Sequence, residues 1–145
     1  MGAELLQCHV QTGQCAVGAA LYLALHANER PLTTSELSDG LGFSVSHLEN
    51  VLASLGKHDI VTSRRGLGGG YRLSQPAGAI SIAAILLAVR SLSRGSDISM
   101  GVGSVTEARQ ITDTFLMALD SRAMNYLAQI SLLDLIENRF ATKHF

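Results

Sequence analysis

Cysteine is scarce in this chain. Its 145 residues hold two, Cys8 and Cys15, too few for a disulfide scaffold or, by themselves, a four-ligand zinc site. Long apolar runs are also missing. The most apolar stretch, residues 80–89, falls far short of the roughly 20 residues a membrane-spanning helix needs. The N-terminus shows no basic patch, extended apolar stretch or small-residue cleavage site, so no signal peptide is expected and the cytoplasm is the expected location. No nucleophile–base pair, metal-ligand cluster or phosphate loop stands out, which leaves an enzyme reading without footing. An excess of positive charge is absent too, the net charge being −1.

What is present suits a buried core. The chain is 47% hydrophobic and 16% charged, a balance of ordered domains and not of disorder. Its length allows one ordinary domain, or a small domain with a dimerisation appendage. The charge is unevenly placed: Lys57, Arg64, Arg65 and Arg72 face only Asp59 within residues 57–72. A local basic patch on an otherwise acidic surface can direct DNA binding.

That patch contains the most informative run of the sequence, Arg64-Arg65-Gly66-Leu67-Gly68-Gly69-Gly70-Tyr71-Arg72-Leu73. Glycine permits φ > 0 and close backbone approach. Arginine supplies a planar fork of donors suited to phosphate or a narrow groove. The run reads as a tight hairpin whose tip lies against something negative. A nucleotide cradle would need a helix to start directly after the glycines, and a strand-like Tyr71-Arg72-Leu73 follows instead.

Apolar residues from about Gln14 to Ala27 predict a first helix, ended by Arg30-Pro31. Gly13 argues against a longer one. Thr34 is the expected cap of a short helix through Leu41, and Ser44 that of a helix striped by Val45, Leu48, Val51, Leu52 and Leu55. A glycine-containing turn between them makes a helix-turn-helix. Ile60-Val61-Thr62 predicts a strand, so helix-turn-helix plus hairpin describes a winged helix. Ser81 caps a helix over residues 82–89, and residues 91–104 read as a serine- and glycine-rich loop. A long helix over 105–128 carries Ile111, Phe115, Ala118, Leu119, Ala123, Tyr126 and Leu127 at three- and four-residue steps. Such a stripe needs a partner, either the first helix or a second subunit. Ser131 caps a last helix over 132–136. The expected fold is mostly α: a winged helix-turn-helix domain over residues 1–80, then a linker helix, flexible loop and long dimerisation helix over 81–145.

These residues carry a resemblance. Residues 65–73, then Pro76-Ala77, then Ile80-Ser81-Ile82-Ala83-Ala84-Ile85, Ala88 and Val89 resemble the signature of the Rrf-two family of bacterial transcription regulators. Residues 15–24, 44–51 and 130–135 are similar to its first helix, recognition helix and closing motif. The resemblance implies a homodimeric winged-helix protein with a long dimerisation helix that binds palindromic double-stranded DNA, whether as a repressor or as an activator. Cluster-binding members carry three cysteines in the loop that corresponds to residues 91–104. Here that loop offers Ser91, Ser93, Ser96, Ser99, Ser104, Asp97 and Met100, the pattern a cysteine-to-serine exchange would also leave. Neutral serine is a poor iron ligand beside thiolate, so no iron–sulfur cluster and no other cofactor or metal is expected.

In the groove-binding role, the polar start of the third helix supplies the contacts. Ser44 and Ser46 are candidates for phosphate, His47 and Asn50 for base edges, and Glu49 for cytosine or for rejecting wrong sites. In the wing, Arg65 beside Gly66 is the candidate for the minor groove and Arg64 for a phosphate; Lys57 and Arg72 are secondary phosphate candidates. Cys8 and Cys15 are the candidate redox-sensing thiols. The alternative function is a winged-helix interaction module controlled by a regulatory protein.

Overall fold

After the first helix, each α-helix described begins at a residue whose side-chain hydroxyl caps the first turn. The computed structural model describes residues 2–94 and 106–139. Helix α1 spans Gly2–His26, so it starts well before the Gln14 expected from composition. Gly13 does not break it, because α4 (Ile82–Val89) packs closely there: a Cβ at Gly13 would stand 3.2 Å from Leu86 Cδ2. Packing of this kind offsets the roughly 1 kcal/mol that glycine costs inside a helix.

Helix α2 covers Thr34–Leu41 and is capped by Thr33, one residue earlier than expected. The reason is reciprocal bonding. The Glu36 N–H donates to Thr33 Oγ1 at 3.2 Å, and the Thr33 N–H donates to Glu36 Oε2 at 2.8 Å. Such a box needs an acidic residue three positions after the cap, which only Thr33 has. Arg30 Nη1 adds a bond to the same carboxylate at 3.2 Å, and these partners hold the Glu36 carboxyl down at about 2.

Helix α3, Val45–Lys57, starts at Ser44 as expected, its Oγ accepting from the His47 N–H at 3.2 Å. Asp59 turns the chain with φ +56. Strands β1 (Val61–Arg64) and β2 (Gly70–Leu73) then pair antiparallel, with Thr62 opposite Arg72 and Arg64 opposite Gly70. A third segment joins this sheet: Leu32 and Tyr71 exchange hydrogen bonds of 2.9 and 2.7 Å. The wing is thus tied to the chain between α1 and α2.

After a 3-10 turn at Ala77–Ala79, α4 is capped by Ser81. Where the loop is expected to start, Arg90–Arg94 forms a further 3-10 turn instead; the rest of the expected loop, residues 95–104, lies outside the described residues. Helix α5, Glu107–Leu127, is capped by Thr106, and α6, Leu132–Ile136, by Ser131 in a box with Asp134. The chain around Ile130 returns to the start of α4: the Ile82 N–H donates to Ile130 O at 2.8 Å and the Leu132 N–H to Ile80 O at 3.0 Å.

One core joins these elements. Cys15, Ala19 and Leu23 of α1 pack with Leu37, with Leu48, Val51, Leu52 and Leu55, and with Ile85, Ala88 and Leu132. Inside it, Ser54 Oγ of α3 donates to the Ala88 carbonyl of α4. Helix α5 behaves differently. Its apolar Ile111, Phe115, Leu116, Met117 and Leu119 are all exposed, and an Arg90–Asp120 ion pair of 2.6 Å ties it to the end of α4. Among the described residues, no helix is long and apolar enough to cross a membrane.

Candidate nucleic-acid interface

The register of α3 decides which side chains are free. Leu48, Val51, Leu52 and Leu55 are buried together with Ser54, so one face of the helix is committed to the core. Ser46, Glu49, Asn50, Ala53 and Lys57 recur at three- and four-residue steps on the opposite face, and all are exposed. No acidic residue stands in the first turn and Lys57 stands in the last. The helix start therefore keeps its positive dipole end open to an anion. Val45, exposed at that same end, is an apolar neighbour that the polar candidates did not include.

The expected residues do not stand equally. Ser44 is exposed but its oxygen already serves as the cap, which leaves its hydroxyl proton to donate outward. His47 is half-buried, with its ring 6.0 Å from that of Phe43. Glu49 and Asn50 are exposed. Asn50 thus presents a free amide where His47 presents one ring edge.

The hairpin sorts the cations. Partners across a ladder share a face, as do residues two apart on one strand. Thr62, Arg64 and Arg72 therefore lie on one face and are all exposed, while Val61 and Tyr71 turn toward the core side. Arg72 thus stands beside Arg64, a pairing that residue spacing across the glycine run does not reveal. Arg65 opens the connection over residues 65–69 and is exposed, as is Gly66 with φ +93. The connection is a tight turn, closed by a Gly69 N–H to Gly66 O bond of 2.9 Å. Gly70 has φ +143, and a Cβ there would lie 2.4 Å from the Leu32 carbonyl oxygen. Only glycine fits this point, where the wing meets the bridge segment at Leu32.

Among the described residues Arg30, Arg90, Arg109 and Arg139 have carboxylate partners, whereas Lys57, Arg64, Arg65 and Arg72 form no ion pair. Between the C-terminal half of α3 and the hairpin lies an open cleft of about 430 Å³ lined by Gly56, Lys57, Val61, Thr62 and Tyr71. Its lining gives no catalytic constellation.

The two thiols differ. Cys15 is fully buried, and burial pushes its thiol up to about 11, so it stays protonated at neutral pH. Cys8 belongs to α1, and its side chain lies outside the described set. No group of three His, Cys, Asp or Glu side chains able to hold a metal ion occurs among the described residues.

Known proteins resemble this arrangement. The model of the Rrf2 family, described as "Iron-dependent Transcriptional regulator", matches residues 10–138. The HTH-type transcriptional regulator IscR of Yersinia enterocolitica is 34% identical over 127 residues, covering 88% of this chain and 77% of that protein. IscR of Erwinia tasmaniensis matches to the same extent, 34% over 127 residues. Among solved structures, T. potens IscR superposes with a TM-score of 0.67 at 24% identity, covering 92% of this chain and 89% of its own. CymR, the global cysteine regulator of B. subtilis, does so with a TM-score of 0.64 at 21% identity, covering 88% of this chain and 94% of its own. Residues 91–104 contain no cysteine. The relatives are named as regulators of transcription and not as enzymes, and with the winged helix in place this chain belongs to the Rrf2 family of DNA-binding transcription regulators.

Proposed function

We propose that the chain works in the cytoplasm as a homodimer on a palindromic duplex, with α3 in the major groove and the glycine-rich wing in the minor groove. One observation carries the reading: the four cations clustered around α3 and the wing form no ion pair, whereas Arg30, Arg90, Arg109 and Arg139 do. Unpaired guanidinium groups at a hairpin tip suit the negative potential of a narrow minor groove. Asn50 reads a base edge, Ser44 and Ser46 hold phosphates, and Glu49 filters against wrong sites. Arg65 enters the groove, while Arg64, Arg72 and Lys57 meet phosphates. The exposed stripe of α5, from Ile111 through Phe115 to Leu119, is the face that pairs with a second copy. No iron–sulfur cluster is ligated from residues 91–104, and a redox signal, where one operates, enters through Cys8 and not through buried Cys15.

A footprint on genomic DNA with the purified protein, reduced and oxidised, identifies the operator. Binding to that operator is then measured against salt. Affinity should fall steeply, with a slope of about 0.9 per phosphate neutralised. Arg65→Ala should cost roughly 1–3 kcal/mol and flatten the slope by about one. An absent footprint, together with a protein partner retained at high salt, would instead identify a winged-helix interaction module.

A further inference from the structure

The wing carries one side chain that the binding reading leaves without a task. Leu67 is fully exposed, more so than any other large apolar residue described. It stands at the second position of the tight turn over residues 66–69, with Gly68 at φ +72 in the third, the position where a type II turn needs glycine. Glycines occupy position 66 and positions 68 to 70, so no neighbouring side chain shields it. A leucine held outward on a closed turn gains nothing within the chain. Its cost in water is recovered only against another surface. Arg64 and Arg65, separated from it only by Gly66 and both exposed without an ion pair, bring that tip to a polyanion and not to an apolar protein groove.

We propose that Leu67 is a specificity-determining residue: seated in the minor groove between the sugar walls, it selects A·T over G·C pairs beneath the wing. This rests on the duplex-binding reading above. The chemistry follows from the groove floor. A·T pairs show only the N3 and O2 acceptors there, whereas G·C adds the guanine 2-amino donor. An isobutyl group cannot accept from that donor and displaces the water that does, so the groove-facing N–H of the amino group is left without an acceptor. Over A·T the groove is narrower, which brings both sugar walls onto the side chain and strengthens the pull on the arginines. The wing thereby reads composition at positions where the α3 face makes no contact.

The test uses the full chain and the duplex identified by footprinting, synthesised with A·T, inosine·C or G·C pairs under the wing. Inosine·C keeps the major-groove edge of G·C and lacks only the minor-groove amino group. Fluorescence anisotropy at fixed salt should show A·T and inosine·C bound alike and G·C roughly tenfold more weakly, the scale of one lost polar or apolar contact. Leu67→Ala and Leu67→Ser, at a site with no packing to lose, should shrink that ratio to about twofold or less. Arg65→Ala should weaken all three duplexes. Inosine·C behaving like G·C, or an undiminished ratio in both Leu67 variants, overturns the assignment while leaving operator binding intact. Failure to prefer any duplex, with no salt dependence, overturns the binding reading itself and is recognised by the loss of all three signals together.

Discussion

Replacing Gly70 by alanine tests how the wing is held. The residue sits at φ +143, which L side chains rarely adopt, and a Cβ would stand 2.4 Å from Leu32 O and 2.5 Å from Leu32 C. Both obstructing atoms are backbone, so no side chain can swing aside. The backbone strain is worth about 1–3 kcal/mol. Relieving the clash separates Leu32 from Tyr71 and loses hydrogen bonds of 2.9 and 2.7 Å, each worth about 0.5–1.5 kcal/mol net. The expected loss is about 3 kcal/mol, read as a urea midpoint lowered by roughly 1–2 M at unchanged slope. Protein concentration is held fixed, since the stability of a chain that self-associates depends on it. Gly66→Ala provides the contrast. Its φ is +93, but its Cβ would meet nothing within 4 Å, so only strain remains and the loss should be about 1 kcal/mol. If the two variants unfold within about 0.5 kcal/mol of each other, the Leu32 anchor contributes little, and the argument from the Leu32 contact is wrong.

Three further outcomes are expected. Phe115→Glu puts a charge in the exposed stripe of α5 and should shift the protein from dimer to monomer by sedimentation velocity, with the far-ultraviolet spectrum retained. In a Cys8→Ser background, Cys15 should resist alkylation until the chain is unfolded; because its folded pKa of about 11 exceeds the ordinary 9.0, its contribution to stability is complete below pH 9 and is lost as pH rises toward 11, which alkaline urea titrations would report. Thr33→Ala removes the α2 cap and should cost about 1 kcal/mol, while the Glu36 carboxyl, held at about 2 against an ordinary 4.5, keeps its stabilising charge above pH 4.5 and loses it only as pH falls toward 2.

Legibility followed distance along the chain. Ser44, Ser81 and Ser131 announce their helices because a cap bond spans only three residues, and the winged-helix order followed from such local signals. Thr34 was the wrong cap because Thr33 precedes it with the same hydroxyl, and only the position of Glu36 distinguishes them. Gly13 misled for a different reason. It lies inside α1 to admit Leu86, a neighbour far away in sequence. The bridge at Leu32 depends on a partner at Tyr71 and leaves no local mark. The cationic residues of the interface were readable by type, but their sorting onto faces required the register that pairs Thr62 with Arg72. Leu67 was passed over as part of a glycine run, although an apolar residue with glycine on both sides has no intramolecular cover.

Ser54 gives the molecule a mechanical property. Its hydroxyl fastens the inner side of α3 to the last turn of α4 through the Ala88 carbonyl, and two residues further on Arg90 grips Asp120 of α5. Helices α3, α4 and α5 are therefore linked in series by polar contacts laid over their shared apolar packing. A Ser54→Ala chain would keep the packing and lose the directional bond that fixes how far α3 can roll against α4.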